Sequence, residues 1–537
     1  MSLRRAGARG RTRPGRDSGG APWCRLGGWA GRLAFGEGGL RHRSRGDALR
    51  AQHRRRARSP RRRSLDPCAH ARRPGRGLRA SLRAPHRVIE LAIRGGLVVT
   101  PNGERHADLA ISAGRITAIG DVGPASREID AKGKLVLPGC VDLHTHLAST
   151  PTFAPLDDFE HGTRAAVAGG VTTVVSMVYQ EEGSLRRGVE RGLRDAERSL
   201  TDFAFHVVVT DPSDAARAEV AALVRDGHAG LKVFMVSPRF AERRDDYALL
   251  LRAAAGAGAL VAIHAEDHAI VAGRTAALHA AGRTSVEHFP ESRPVEAEVK
   301  AIREAVELAE RTGAAIYLVH LSSRAALHAL REGKGRARVL GETRPLYLYL
   351  TRAQFDRPDA ALWVGQPPLR DADDVAAVWA ALADGTLDTV GTDHIPHARA
   401  AKLAPGLSFD RIPPGVSNLE TLLPMLYSEG VRKGRITLSR LVEVLASSPA
   451  HVAGMYPRKG ALAIGSDGDV VIFDPWARRI VRAADLHSAC DYDPYEGWDV
   501  TGWPEVVLSR GDVVFERGSV VAKPGRGKLV PRAPSPH

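Results

Sequence analysis

Cysteine is scarce in this chain. Four occur in 537 residues (Cys24, Cys68, Cys140 and Cys490), and no two are spaced as CxxC. The spacing excludes a paired-thiol zinc knuckle or redox motif, and four scattered thiols make no disulfide framework. Long apolar runs are missing too. No stretch reaches the roughly 18 residues that a membrane helix requires, and "PWCRLGGWAGRLAFGEGG" is cut by Arg25 and Arg32, so it lacks a signal-peptide core. A cytoplasmic protein with no membrane partner is the expectation. Lysine is absent from residues 1–86, which hold 24 Arg against four acidic residues, a net of +20 in a chain whose total is +16. The remainder is therefore mildly acidic, at −4. A basic nucleic-acid protein would carry its charge through the folded body, so no nucleic-acid partner is expected. Segment 1–86 has no apolar periodicity and no Met after Met1. It reads as a disordered Arg-rich extension, as translation from upstream of a start near Val88, or as a transit segment.

What is present is a large apolar share, 43% of residues, enough for a barrel-sized core and a smaller unit. Residues 87–137 and 455–523 share one style, short β-branched runs between Gly-, Asn- and Asp-containing turns, as in "RGGLVVTPNGERHADLAIS" and "VVLSRGDVVFERGSVV". The two segments are expected to build one small β-sandwich domain. Between them, residues 138–454 alternate strand-like runs with amphipathic helices such as "EAEVKAIREAVELAERTG". Eight candidate strands start near residues 135, 171, 204, 229, 259, 314, 337 and 388. The fold expected is α/β, a (β/α)8 TIM-like barrel with the sandwich appended. The Pro- and Gly-rich close, 524–537, is expected to be a disordered tail.

"VDLHTH" ends the first of these runs. Residues two apart on a strand face the same way, so His144 and His146 point together into the barrel mouth and can grip one ion. An HxH pair alone is common; position supplies the weight, because barrel enzymes place reactive groups at the C-terminal ends of their strands. His264 ends "ALVAIH", His320 ends "AAIYLVH" and Asp393 ends "DTVGTD", each a nitrogen or oxygen donor. Taken singly, each is a packing histidine or a helix cap; together they make a metal site. Lys232 lies in "LKVFM", on an inward strand position among apolar neighbours. Burial favours its neutral amine, which captures carbon dioxide as a carbamate. The ordinary alternative is a lysine whose head reaches solvent.

The order HxH, Lys, His, His, Asp, with "PGCVDLHTH", "DDFEHGTRAAVAGGVTT", "HAED", "VHLSS", "GET", "PPLR", "GTDH" and "DYDPYEGWDVTGWP", resembles the cyclic amidohydrolases of the hydantoinase and dihydropyrimidinase group over residues 88–528. The resemblance implies two divalent metal ions per subunit, usually Zn2+. His144, His146 and Asp393 would hold one, His264 and His320 the other, and carboxylated Lys232 would bridge them. It also implies that Asp393 is the catalytic base and acid in opening a cyclic amide, imide or ureide to an N-carbamoyl amino acid, in a homo-oligomer, tetramer or dimer. The sequence departs from the family's pattern in its substrate shell. Ser237 stands where the family has an oxyanion-stabilising Tyr, leaving that role to water, to another residue such as Tyr179, or to a different substrate. Gln366 replaces a Ser before "PPLR", Pro414 an Asn, and Arg344 a Cys after "GET". Arg344 fits either a clamp on a substrate carboxylate or a structural ion pair. Ala148 lacks the Arg that a dihydroorotase pattern has two residues after HxH. Allantoinase-like and dihydroorotase-like activities, and a non-catalytic dihydropyrimidinase-related scaffold, stand as alternatives.

Overall fold

The computed structural model describes residues 89–150 and 155–534, so the Arg-rich segment 1–86 lies outside the described residues. Eight parallel strands form the central sheet: Cys140–Thr145, Val171–Tyr179, Asp202–Val208, Gly230–Phe234, Leu260–His264, Ala315–Leu318, Val339–Thr343 and Thr389–Val390. Each pairs with its neighbours in chain order. Thr145 bridges His394 and Thr392 Oγ1 donates to Asp142 Oδ2 at 2.5 Å, joining the last strand region to the first and closing the barrel. Strands Asp202–Val208 and Leu260–His264 are buried at every position, because parallel strands in a barrel are covered on both faces. The helices read as stripes instead. Val295–Thr312 buries Ala297, Ala301, Ala305 and Leu308 on one side and ends at Gly313, whose φ of +75° suits the left-handed cap.

Antiparallel pairing dominates the second unit. One sheet holds four strands from the N-terminal side (Arg115–Gly120, Asp108–Ser112, Ile89–Arg94, Ala125–Asp130), and a seven-stranded sheet mixes strands from both ends. The seam between the ends is Leu135–Pro138 against Val470–Ile480, with Val470 opposite Pro138 and Phe473 opposite Leu135. Leu91, Ile93, Val98, Val470, Ile472 and Leu508 pack between the sheets. The run "LVLPGCVDLHTH", which reads as one strand, is two. It breaks at Gly139, where an added Cβ would sit 2.2 Å from Thr172 Oγ1. The first half thus serves the sandwich and the second the barrel.

The C-terminal segment departs from the disordered tail expected for 524–537. Over its described part, to residue 534, it packs against the foot of the barrel. Val530 is 1% exposed and joins the apolar cluster of the barrel interior with Val141, Val175 and Ala262. Leu529 bridges Phe203. The buried Arg532 donates to the carbonyls of Ala453 (3.1 Å) and Phe205 (3.0 Å). Composition hides this contact, since Pro and Gly signal irregular backbone and irregular backbone can still be tightly packed.

Candidate metal centre and active site

The strand ends bring the six donors to one mouth. His144 Nε2 lies 3.3 Å and His146 Nε2 lies 3.2 Å from Asp393 Oδ1. Lys232 Nζ is 3.5 Å from His144 Nε2, and the ring of His320 stacks on His144 at 5.4 Å and meets His264 edge-on at 4.6 Å. Among the described residues, His144, His146 and Asp393 are the one group of three such donors converging within 4.8 Å. Two members hold a strained backbone: His320 and Asp393 have φ of 45° and 50°. A β-carbon makes that region costly, and such strain concentrates where side-chain direction matters.

Carboxylates behind the histidines set their orientation. Glu342 Oε1 lies 2.7 Å from His144 Nδ1 and accepts its proton, so the Nε2 lone pair faces Asp393. A lone pair 3.3 Å from a carboxylate oxygen is repulsive unless a cation lies between them. His146 Nδ1 is buried with no partner, and His264 Nε2 is held by Glu266 at 2.7 Å, which leaves Nδ1 for the centre. The donor set thus fits divalent cations. Asp142, whose Oδ1 accepts from the His144 backbone N–H at 3.0 Å, locks the strand end. Asp142, Glu266 and Glu342 lie within "VDLHTH", "HAED" and "GET", yet sequence reasoning singles out none of the three. The first two were detectable, because each lies two residues from a donor histidine, Asp142 on the same strand as His144 and Glu266 just past the strand end at His264. Glu342 comes from another strand and carries no such signal.

Burial governs the ionisation. It lowers the Lys232 amine to about 8, against the pull of Asp393 and Glu342, and it holds His144 and His320 well below the ordinary imidazole range, as neutral imidazoles. Burial pushes Asp393 upward, yet Arg344, His144 and His146 together hold it well below the usual carboxylate value. Glu342 is raised by burial to about 7.

The mouth encloses a cavity of about 80 Å³ lined by the four histidines and Asp393 together with Tyr179, Phe234, Gln366, Ile395, Pro414 and Gly415. The two remaining substrate candidates lie elsewhere. Ser237 caps the short helix Pro238–Glu242, its hydroxyl accepting from Arg239 N, and it does not line the cavity. Arg344 is fully buried and outside the lining; its Nη1 donates to Asp393 Oδ2 at 2.8 Å. The structural ion pair is the arrangement found, with Nη1 turned to Asp393 and the guanidinium outside the cavity lining.

The family description "Amidohydrolase family" matches residues 135–514. A D-hydantoinase of Ralstonia pickettii is 39% identical over 456 residues, spanning 83% of this chain and 99% of that protein. A D-phenylhydantoinase of Escherichia coli is 36% identical, again covering 83% and 99%. Among solved structures, a D-hydantoinase superposes with a TM-score of 0.80 at 37% identity, covering 83% of this chain and all of that one. A dihydropyrimidinase of Brevibacillus agri NCHU1002 gives 0.80 at 35%, covering 83% of this chain and 99% of its own. No helix of the described residues is long and apolar enough to cross a membrane. The match spans nearly the whole length of those relatives at 35–39% identity, so the chain belongs to the amidohydrolase family, in its hydantoinase and dihydropyrimidinase group.

Proposed function

We propose that the protein hydrolyses a cyclic amide or ureide, dihydropyrimidine- or hydantoin-like, to an N-carbamoyl amino acid, with two divalent ions per subunit held by His144, His146, Lys232, His264, His320 and Asp393. The observation that carries this reading is the approach of two imidazole nitrogens, one with its lone pair inward, to Asp393 Oδ1 within 3.3 Å. Zn2+ suits a nitrogen- and oxygen-donor set of this kind. The neutral Lys232 amine would add to carbon dioxide, forming a nitrogen–carbon bond and releasing one proton to solvent, and the carbamate so formed would offer the centre a carboxylate. When bound, a pair of divalent cations lowers the pKa of water and polarises the scissile carbonyl.

The protein's own groups do the rest. Asp393, ionised and oriented by Arg344, accepts the proton of the attacking water. The new carbon–oxygen bond forms as the carbonyl π electrons move onto oxygen. When the carbon–nitrogen bond breaks, the departing ring nitrogen takes that proton from Asp393. Gln366 and the Pro414 carbonyl, both on the cavity wall, orient the ring amide. The resemblance also supports a cytoplasmic homo-oligomer, tetramer or dimer, which light scattering of the purified chain measures.

The test is elemental analysis with a substrate screen. Protein prepared with zinc and bicarbonate should hold about two ions per chain and open dihydrouracil, hydantoin or both, while Lys232→Ala should lose metal and turnover together. A chain that takes up no zinc under those conditions, or a fully active Lys232→Ala, overturns the reading.

A further inference from the structure

Addition of hydroxide to a carbonyl puts a full negative charge on the carbonyl oxygen, and a hydrogen-bond donor aimed at that oxygen is worth about 10²–10³ in rate. The cavity wall leaves few candidates. Outside the six proposed metal-binding residues it comprises Tyr179, Phe234, Gln366, Ile395, Pro414 and Gly415. The side chains of Phe234 and Ile395 are apolar and Pro414 has no N–H. The Ile395 N–H is taken by the Val416 carbonyl and the Gly415 N–H by the Val364 carbonyl. Ser237 does not line the cavity; its hydroxyl sits at the helix cap, accepting from Arg239 N. Two side-chain donors remain, the Tyr179 phenol and the Gln366 amide.

The two differ in how firmly they are held. Tyr179 is the last residue of strand Val171–Tyr179 and stays in register with Val208 of the next strand. Helix Leu185–Asp195 presses on its backbone at Gly188, where an added Cβ would lie 2.3 Å from the Tyr179 carbonyl oxygen. The phenol hydroxyl makes no hydrogen bond to any described residue, and it feels the charge of Asp393. Gln366 belongs to a loop, and its amide presents an acceptor as well as a donor, which suits it to reading ring amide groups. A preorganised donor is a rigid one.

We infer that the Tyr179 hydroxyl is the side-chain donor that stabilises the oxyanion, a catalytic role that rests on the hydrolase reading above. The phenol keeps its proton throughout. It donates a hydrogen bond to the oxygen as the carbon–oxygen π electrons move onto it, and that bond weakens again when the carbonyl re-forms and the ring nitrogen departs.

The test uses the full chain loaded with zinc and bicarbonate. On hydantoin and dihydrouracil, Tyr179→Phe should lower kcat by about 10²–10³-fold, with KM, metal content and melting temperature close to those of the wild type, while Ser237→Ala leaves kcat within about twofold. The penalty of Tyr179→Phe should shrink on 4-thiohydantoin, because the sulfur at the scissile carbon is a weak hydrogen-bond acceptor. A purely structural role would move neither the split between kcat and KM nor the sulfur dependence. Wild-type turnover matched by an equally fast Tyr179→Phe removes the role of Tyr179 alone. A Tyr179→Phe chain that does not fold also removes it, since the hydroxyl would then be a structural partner. Absence of wild-type turnover on every cyclic amide removes the hydrolase reading and this role with it.

Discussion

At the scale of single residues, the centre is defined by groups whose charge has no ordinary outlet. Arg344 is the clearest case: fully buried, it gives Nη1 to Asp393 and leaves Nε and Nη2 without partners. Replacing it with Met keeps the bulk and leaves a carboxylate buried without its counterion. We expect Arg344→Met to destabilise the chelator-treated protein by about 3–5 kcal/mol in urea unfolding, and by clearly less when zinc is bound, because the cations then compensate Asp393. A uniform loss in both states would show that the pair does not govern the charge of Asp393. The six donors were legible because strand ends and side-chain alternation are local properties of the sequence. The depth of Arg344 was not, because nothing in "GETRPLY" says whether a guanidinium faces the cavity or sits behind a carboxylate. The cap at Ser237 was unreadable for a similar reason: a serine before proline looks the same whether it lines a cavity or caps a helix.

At the scale of elements, each strand end depends on backbones that approach one another closely. Gly391, between strand Thr389–Val390 and Asp393, is such a point: an added Cβ would lie 2.2 Å from Glu342 Oε2 and 3.1 Å from His144 Cβ. Gly391→Ala should therefore push Glu342 away from His144 and weaken metal binding by roughly 10–100-fold, the usual penalty for disturbing a residue that orients a ligand. Competition with a chelator measures this, and unchanged affinity would show that Glu342 does not orient His144. The eight strand positions were readable to within a few residues, because buried parallel strands are apolar runs. The division of "LVLPGCVDLHTH" at Gly139 was not, since a single glycine does not announce which of two sheets each flank joins.

At the scale of the whole molecule, two packing features carry predictions. Asp493, in the segment "DYDPYEGWDVTGWP", is buried; its Oδ1 accepts from Tyr495 N and its Oδ2 has no partner. Burial raises it to about 8 from an ordinary 3.8. The folded state thus holds one more proton than the unfolded state between those values. Its contribution is complete below the unfolded pKa and is lost as pH rises toward 8, with a slope of at most about 1.4 kcal/mol per pH unit. Asp493→Asn, neutral at every pH, should flatten that decline in denaturant titrations at pH 5 to 8, and an unaltered slope would assign the decline to other groups. The second feature is the C-terminal segment. Arg532→Ala would leave the carbonyls of Phe205 and Ala453 short of a donor, at about 1–3 kcal/mol, and should lower the melting temperature with no change in zinc stoichiometry. An unchanged melting temperature would mean that the segment is not part of the cooperative unit.

That segment follows all eight barrel strands along the chain yet packs against the third of them, at Phe203 and Phe205. Every side chain of the mouth therefore precedes, along the chain, the stretch that covers the foot of the barrel. A stop codon just ahead of that stretch would leave the whole mouth encoded and Val141, Val175 and Ala262 without Val530 beneath them.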